Sequence, residues 1–477
     1  VRLATVVAEL NDVDVSGLEG SASFGDIEIT DVNFDSRLVR PGSLFCCIPG
    51  IADDGHFHAG EAVEAGAVAL LVDHRVDVGV PQLVVPNVRE AMATVSATCF
   101  GNPADDLLVI GVTGTNGKTT ATWMLQNIFT AAHRRVEVLG TLSGARTTPE
   151  SPDLQRRLAQ WRDDGVDVVA MEVSSHAIDL HRVDAMKFRV AMFTNLSRDH
   201  LDYHGSMEEY FETKARLFGP DRCDSAVVNL DSPHGRLLAD AATVPTDGYS
   251  LDEVDQLQLS VDGSTFTWAG HHVSLTLGGL FNVSNALGAA HVARALGVDD
   301  ATIAAGLSLP LIVEGRFERV DAGQPFAVIV DYAHTPDGLE QLLSAAGDLV
   351  DGRVIVVFGC GGDRDQSKRS MMGETAVSYA DSVIITADNS RSESTDQIID
   401  SILEGVQRVS APRASSVIVE PDRRAAISLA LRTAAVGDIV LLAGKGHETV
   451  QVIGDSTIPF DDRVVARDEW KLVEANR

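Results

Sequence analysis

The segment Gly111-Val112-Thr113-Gly114-Thr115-Asn116-Gly117-Lys118-Thr119-Thr120 has the make-up of a phosphate cradle. The apolar run Leu107–Ile110 before it reads as a buried strand, and Ala121–Ile128 after it reads as a helix. Glycines let the backbone turn its N–H groups onto phosphate oxygens, and a helix N-terminus adds positive potential at the same point. Lys118 can reach the terminal phosphates, and the Thr119 hydroxyl can ligate Mg²⁺. The ordinary spacing of such loops requires glycine at position 112, where this chain has valine. The loop is therefore a variant, Gly114 to Thr120, and the chemistry expected of it is ATP binding.

Other polar residues fall where apolar runs end. Glu172 closes the run Val166–Val173 and opens Glu172-Val173-Ser174-Ser175-His176. Asn195 closes Val190–Asn195 and opens a segment running through His200 to His204. In an open parallel sheet ligands bind at the carboxyl ends of strands, so a carboxylate and an imidazole there suit Mg²⁺ bound to a triphosphate. Lys214, within Glu208–Phe218, reads on pattern alone as a solvated helix lysine.

The elements that position these groups follow an α/β rhythm. The chain has 477 residues, enough for two to four domains. Residues 1–102 alternate short apolar runs with turns and form a small α/β module, and Gly101–Asp106 is a turn-rich linker. Residues 103–316 carry the loop and further buried strands, including Ser225–Asn229, then a more β-like stretch from Val244 to Leu277 and helices from Asn282 to Leu307. Residues 317–477 restart the rhythm with strands at Ala327–Asp331, Val354–Phe358, Ser382–Thr386 and Ile439–Ala443. The expected fold is α/β in three domains: the small N-terminal module, a central P-loop-type ATPase domain with a mainly parallel sheet, and a C-terminal Rossmann-like doubly wound domain.

Composition excludes several classes. Apolar residues are 45% and charged residues 22% of the chain, an ordinary globular balance. A formal charge of −31 is the wrong sign for a nucleic-acid footprint. No stretch approaches the ~18 apolar residues of a membrane span, and Val1–Thr5 lacks a secretion signal, so neither membrane insertion nor secretion is expected. The five cysteines lack paired spacing and fit a reducing cytoplasm, with neither a disulfide framework nor a zinc cluster.

Taken together the motifs resemble one family. The variant loop, Glu172–His176, Asn195–His204, Lys214, Phe281–Ala286, Glu314–Glu318, Asp331–Asp337 and Gly444–Glu448 recur in this order in the Mur ligases of peptidoglycan synthesis. The chain most resembles the branch of UDP-N-acetylmuramoyl-tripeptide synthetases, over about Asp35 to Glu448. The resemblance implies that the three domains bind, in order, UDP-sugar, ATP and amino acid.

On the same grounds Gly114, Thr115, Asn116, Gly117, Lys118, Thr119 and Thr120 hold ATP phosphates, and Asn195 and Asn285 contact adenine. Arg316, Asp331 and His334 face ribose and phosphate. Thr119, Glu172, His200 and a carbamylated Lys214 hold two Mg²⁺, so that Lys118, Lys214, His200 and Glu172 form the catalytic group. Ser36, within Asp35-Ser36-Arg37, lies on the uridine side, while Thr147, Thr148, Ser174, Ser175 and Arg182 hold the muramoyl-dipeptide. Arg364, Asp388, Asn389, Arg391, Gly444 and Glu448 align with a diaminopimelate pocket.

Arg391 suits a distal carboxylate, which L-lysine lacks, so meso-diaminopimelate is the expected third residue. One departure stands beside it: Ser390 occupies a position where the family usually has proline, which frees φ and restores an N–H. The implied activity is ATP-dependent formation of an amide at the D-glutamate γ-carboxylate through an acyl phosphate, by a cytoplasmic monomer. The alternatives are the same reaction with L-lysine, a folylpolyglutamate-synthetase-like ligase, and a regulatory P-loop switch. The Asp35-Ser36-Arg37 and Asp388–Arg391 segments oppose the ligase alternative, and the lack of an Asn-Lys-x-Asp motif opposes the switch.

Overall fold

Three mostly parallel sheets, each flanked by its own apolar clusters, carry the site. The computed structural model describes residues 1–16, 24–50, 53–144 and 146–475. The first sheet has five strands in the order Asp14–Ser16, Gln82–Val84, Ala69–Val72, Ser43–Cys46, Asp31–Asn33, with only Asp14–Ser16 antiparallel.

The central sheet is parallel throughout, in the order Thr246–Tyr249, Ala226–Asn229, Val190–Phe193, Leu108–Thr113, Val168–Glu172, Val136–Leu139. Its first strand in sequence, Leu108–Thr113, lies between later strands on both sides. The next two strands lie on one side of it and the last three on the other, and this reversal of winding opens a crevice at its carboxyl end. A three-stranded antiparallel sheet, Asp255–Ser260, Gly263–Trp268 and His271–Leu275, accounts for the β-like stretch expected there.

The third sheet runs Glu318–Arg319, Ala327–Asp331, Ile439–Ala443, Val354–Phe358, Ser382–Ile385, Ser416–Val419, antiparallel only at the first pair. Its inner strands Val354–Phe358 and Ile439–Ala443 are buried along their whole length, as strands covered on both faces must be. A hairpin, Val450–Ile453 with Ser456–Pro459, follows.

Two expected boundaries shift. The strand before the cradle continues through Thr113, and the helix after it spans Lys118–Ala131 rather than starting at Ala121. Gly117 at φ +86° turns the chain directly into the helix, so the loop is shorter than its glycines suggest.

Candidate active site

The cradle is laced to the neighbouring strand exit. Thr115 N–H donates to the Asn195 carbonyl (2.9 Å), and Asn116 N–H donates to Asn195 Oδ1 (2.9 Å). The Asn195 amide returns a bond to the Asn116 carbonyl (3.2 Å), as does the Thr194 hydroxyl (2.6 Å). Two glycines are sterically required. A Cβ on Gly114 would meet Thr194 Oγ1, and one on Gly117 would meet Asn285 Oδ1. Lys118 folds over the loop, with Nζ donating to the carbonyls of Gly114 and Thr115 (both 2.8 Å). Burial lowers its pKa, while Glu172 and Asp199 pull the other way.

Lys214 is not solvated. Pattern alone suggests a surface lysine on the helix Met207–Ala215, but the side chain is buried and reaches the cradle. Its Nζ donates to the Gly114 carbonyl (3.1 Å) and sits 4.7 Å from the Tyr210 ring centre. Burial, with Lys118 close by, pushes the amine well below its usual range.

Glu172 ends its strand as a buried carboxylate. Thr141 alone among the described residues donates to its side chain, from N–H (2.8 Å) and hydroxyl (3.2 Å). Thr148 Oγ1 donates to the Glu172 carbonyl (2.9 Å) and accepts from Ser174 N–H (3.1 Å), while Thr147 contacts Thr141 (3.0 Å between hydroxyls). His200 adopts left-handed backbone (φ +54°) and sets its ring edge-on to His176, 4.8 Å between centres. Desolvation lowers its pKa against the pull of Asp199, which keeps the ring neutral.

From the third sheet, Arg316 stacks on Tyr332 at 4.2 Å and extends Nη2 to within 3.5 Å of Thr119 Oγ1. Asp331 accepts from the N–H groups of Phe317 and Ala333 (both 2.7 Å), and its carboxyl is nevertheless raised by burial. His334 is held by Tyr332 O (2.8 Å) and pushed down to about 4 by burial and Lys368.

Most of these groups, though not Lys214, enclose one cavity of about 1080 Å³, solvent-filled mouth included, whose walls include residues 115–120, Glu172, His200, Asn285, Arg316, Asp331, His334, Thr147 and Ser174. A second cavity is lined by all six residues expected to meet the amino acid: Arg364, Asp388, Asn389, Arg391, Gly444 and Glu448. Asp199, His200, Tyr332 and His334 line both, so the two spaces share a wall. A third space, on the far side of Gly117, is bordered by Asn195 and Asn285.

Some expected residues stand back from these spaces. Arg182 Nη1 donates to Thr148 O (3.1 Å) and its Nη2 pairs with Glu150 (2.8 Å). The Ser175 hydroxyl meets His204 Nε2 (2.9 Å), and Ser36 lies in the first module with its hydroxyl toward Glu61 (3.4 Å). Ser390 is buried with its hydroxyl against Thr395 (2.6 Å), outside the lining of the second cavity.

Pattern reading missed five groups. Asp199 and Tyr332 lie inside segments singled out for their neighbours. Lys368 opens the helix Lys368–Tyr379 as a buried amine on the second cavity, four residues past Arg364, with no sequence signal. Lys445 is fully buried and donates to Val450 O (2.6 Å) and Glu448 (3.3 Å), while Asn389 Nδ2 donates to Glu448 (2.6 Å). Behind them Arg423 donates to the carbonyls of Ala387 (3.3 Å), just past one strand, and Ala443 (3.0 Å), the last residue of another, and is paired with Asp462.

Comparison with known proteins agrees with this geometry. Residues 28–98 match the Mur ligase family catalytic domain, 112–293 the Mur ligase middle domain, and 315–446 the Mur ligase glutamate ligase domain. The chain is 44% identical to a UDP-N-acetylmuramoyl-L-alanyl-D-glutamate--2,6-diaminopimelate ligase of Geobacillus thermodenitrificans, over 93% of this chain and 95% of that protein. It is 42% identical to the protein of the same name from Streptomyces coelicolor, over 99% and 97%. A solved structure with that name superposes with a TM-score of 0.68 at 31% identity, over 99% of each chain. A MurF ligase from Thermotoga maritima in complex with ADP has the same fold, with a TM-score of 0.66 at 19% identity, over 95% of this chain and 100% of that one. Three matched domains in one order and relatives above 40% identity along nearly the whole length lead to one statement: the chain belongs to the Mur ligase family.

Proposed function

We propose that the protein is an ATP-dependent amide ligase that joins meso-diaminopimelate to the D-glutamate γ-carboxylate of UDP-N-acetylmuramoyl-L-alanyl-D-glutamate. The observation that carries this reading is the shared wall of the two cavities, which sets a phosphate cradle beside a pocket containing two arginines. The γ-carboxylate attacks the terminal phosphorus of ATP, ADP leaves, and an acyl phosphate forms. The incoming amine then attacks the acyl carbon and phosphate departs.

The chain's own groups do mainly electrostatic and positioning work. The cradle N–H groups and Lys118 take up phosphate charge, and Lys118 exchanges its two carbonyl partners for phosphate oxygens. Arg316 reaches the same place from the third sheet and screens the acyl phosphate from water. Asn195 and Asn285 border the adenine space, and Asp331 and His334 face the ribose side. Thr147, Thr148, Ser174, Ser175 and Arg182 shape the approach of the dipeptide, with Ser36 on the uridine side.

A buried carboxylate and a hydroxyl are oxygen donors that fit a hard divalent cation held together with phosphate, and the neutral imidazole of His200 adds one less usual ligand for it. Glu172, His200, Thr119 and carbamylated Lys214 would hold two Mg²⁺, which supply charge neutralisation on the transferred phosphoryl group. Lys214 suits carbamylation because burial favours its neutral amine, and a neutral amine is the form that adds CO₂. Arg391 and Arg364 face the distal carboxylate of diaminopimelate. We assign the domain limits as 1–102, 103–316 and 317–477, in a cytoplasmic monomer. Among the described residues no helix is long and apolar enough to cross a membrane.

The test is ligation measured with diaminopimelate and L-lysine side by side, with phosphate release recorded when each substrate is left out. Phosphate release should need both the UDP-linked dipeptide and diaminopimelate. Equal turnover with L-lysine would refute the choice of amino acid, and release without any dipeptide would refute the ligase.

A further inference from the structure

Away from the cavities, two histidines and an aspartate converge at the carboxyl edge of the first sheet. His56 lies in the turn Gly55–His58, and Asp73 and His74 directly follow the strand Ala69–Val72. One ligand atom from each of the three lies within 4.8 Å of the others, so a small side-chain movement brings all three within the about 4.4 Å that bonds of about 2.0–2.2 Å to one ion allow.

The hydrogen bonding around His56 is what singles out this cluster. Asp54 accepts from His56 N–H (3.0 Å) and from Nδ1 (2.6 Å), which places a proton on Nδ1 and leaves Nε2 with a lone pair. That Nε2 is buried, has no hydrogen-bond partner, and faces Asp73 Oδ1 at 3.3 Å. His74 Nδ1 approaches the same Asp73 oxygen at 2.5 Å, and the two imidazoles stack at 4.2 Å. Two imidazoles thus converge on one carboxylate oxygen, and a cation there would take the place of the proton that His74 shares with Asp73. A carboxylate behind a ligating histidine is also the usual second layer of a metal site, fixing the ring and raising its basicity.

We propose that His56, Asp73 and His74 form a binding site for a divalent first-row transition metal of the zinc type, oriented by Asp54. Two imidazoles and a carboxylate suit zinc rather than magnesium, and three protein ligands leave a fourth position for water. His74 is 62% exposed and Asp73 34%, so that position opens to solvent. Bound metal clips the turn after one strand to the end of its neighbour, using nitrogen and oxygen donors in a region where the buried cysteines stay free.

The experiment uses the whole protein, freed of metal with a chelator and kept without nucleotide. Co²⁺ is titrated and followed by its visible absorption, and Zn²⁺ is titrated by calorimetry. The wild type should bind one equivalent more than His74→Ala, a surface change that leaves folding intact, and one more than His56→Ala. Glu172→Gln should keep that equivalent, which separates it from any metal at the cradle. Asp54→Asn should weaken it by about 10–100-fold. Equal stoichiometry in wild type and His74→Ala overturns the proposal and leaves His56 as a ring that only braces the turn between Asp54 and Asp73.

Discussion

Lys118 and Lys214 direct their amines at the same oxygen atom, the carbonyl of Gly114, at 2.8 and 3.1 Å. Two cations on one carbonyl in a buried setting repel each other, which favours loss of a proton from one of the amines. Lys214 is the more strongly disposed to lose it, because its pKa falls well below the usual lysine range, with burial the larger cause and Lys118 the next.

Lys214 should therefore carry CO₂ in the working enzyme. Labelled bicarbonate should appear as a carbamate in the wild type and not in Lys214→Ala. That variant should lose turnover by at least about 10–100-fold, the scale for groups that orient metal ligands. Lys214→Arg should not rescue it, since a guanidinium stays protonated. Near-normal turnover of Lys214→Ala would remove the metal-positioning role.

Arg391→Ala should raise the KM for diaminopimelate by about 10–100-fold, the cost of one or two charge-assisted hydrogen bonds. The KM for ATP should change little, because Arg391 lines the second cavity and not the first. Arg391→Lys should recover only part of the loss. Equal effects on both constants would contradict the pocket assignment.

Gly117→Ala should weaken ATP binding while leaving the fold intact. Its φ of +86° disfavours a side chain, and the added Cβ would press on Asn285 Oδ1. Strain of about 1–3 kcal/mol at this position would move the loop off its phosphate-binding geometry. Nucleotide titration reads the effect directly, and unaltered affinity would mean that the loop adapts without cost.

Asp462→Ala should destabilise the protein by about 3–5 kcal/mol, because it leaves the Arg423 guanidinium buried without its counter-charge. Arg423 also holds the carbonyls of Ala387 and Ala443, which precede Asp388 and Gly444. Urea unfolding should show the loss, and the diaminopimelate KM should rise with it. A variant as stable as the wild type would show that water replaces the carboxylate.

Asp438 gives an acid-dependent test. Burial raises its carboxyl, but hydrogen bonds from Arg353 and Ala435 outweigh that and the net shift is downward. A depressed folded value means the stabilisation is present above the unfolded value of about 3.9 and disappears as pH falls through the folded one. Asp438→Asn should cost about 1–3 kcal/mol at neutral pH and flatten the stability curve below about pH 4. An unchanged acid slope would assign that dependence to other carboxylates.

The fold was legible where strands are buried on both faces. Val354–Phe358 and Ile439–Ala443 are unbroken apolar runs and stand where the pattern puts them. Ser416–Val419 escaped because it is an edge strand whose residues are only half covered or exposed. The cradle could be read because glycine, lysine and threonine at fixed spacing have few other uses. Lys214 could not be read from pattern: a lysine on a helix looks the same whether it meets water or a carbonyl 100 residues away. Lys445, Lys368 and Arg423 fall in the same class, since a buried charge is defined by partners distant in sequence.

The hairpin after Glu448 has a bearing on any attempt to redirect the enzyme. Arg391 N–H donates to Val452 O (3.1 Å), and Gly454 N–H donates to Arg391 O (2.7 Å), so this arginine is held upright in left-handed backbone by a ribbon some sixty residues downstream. Grafting residues 388–391 alone onto another scaffold would transfer the side chain without its backrest. The transplantable unit is the loop together with its ribbon, two pieces of chain that must travel as one.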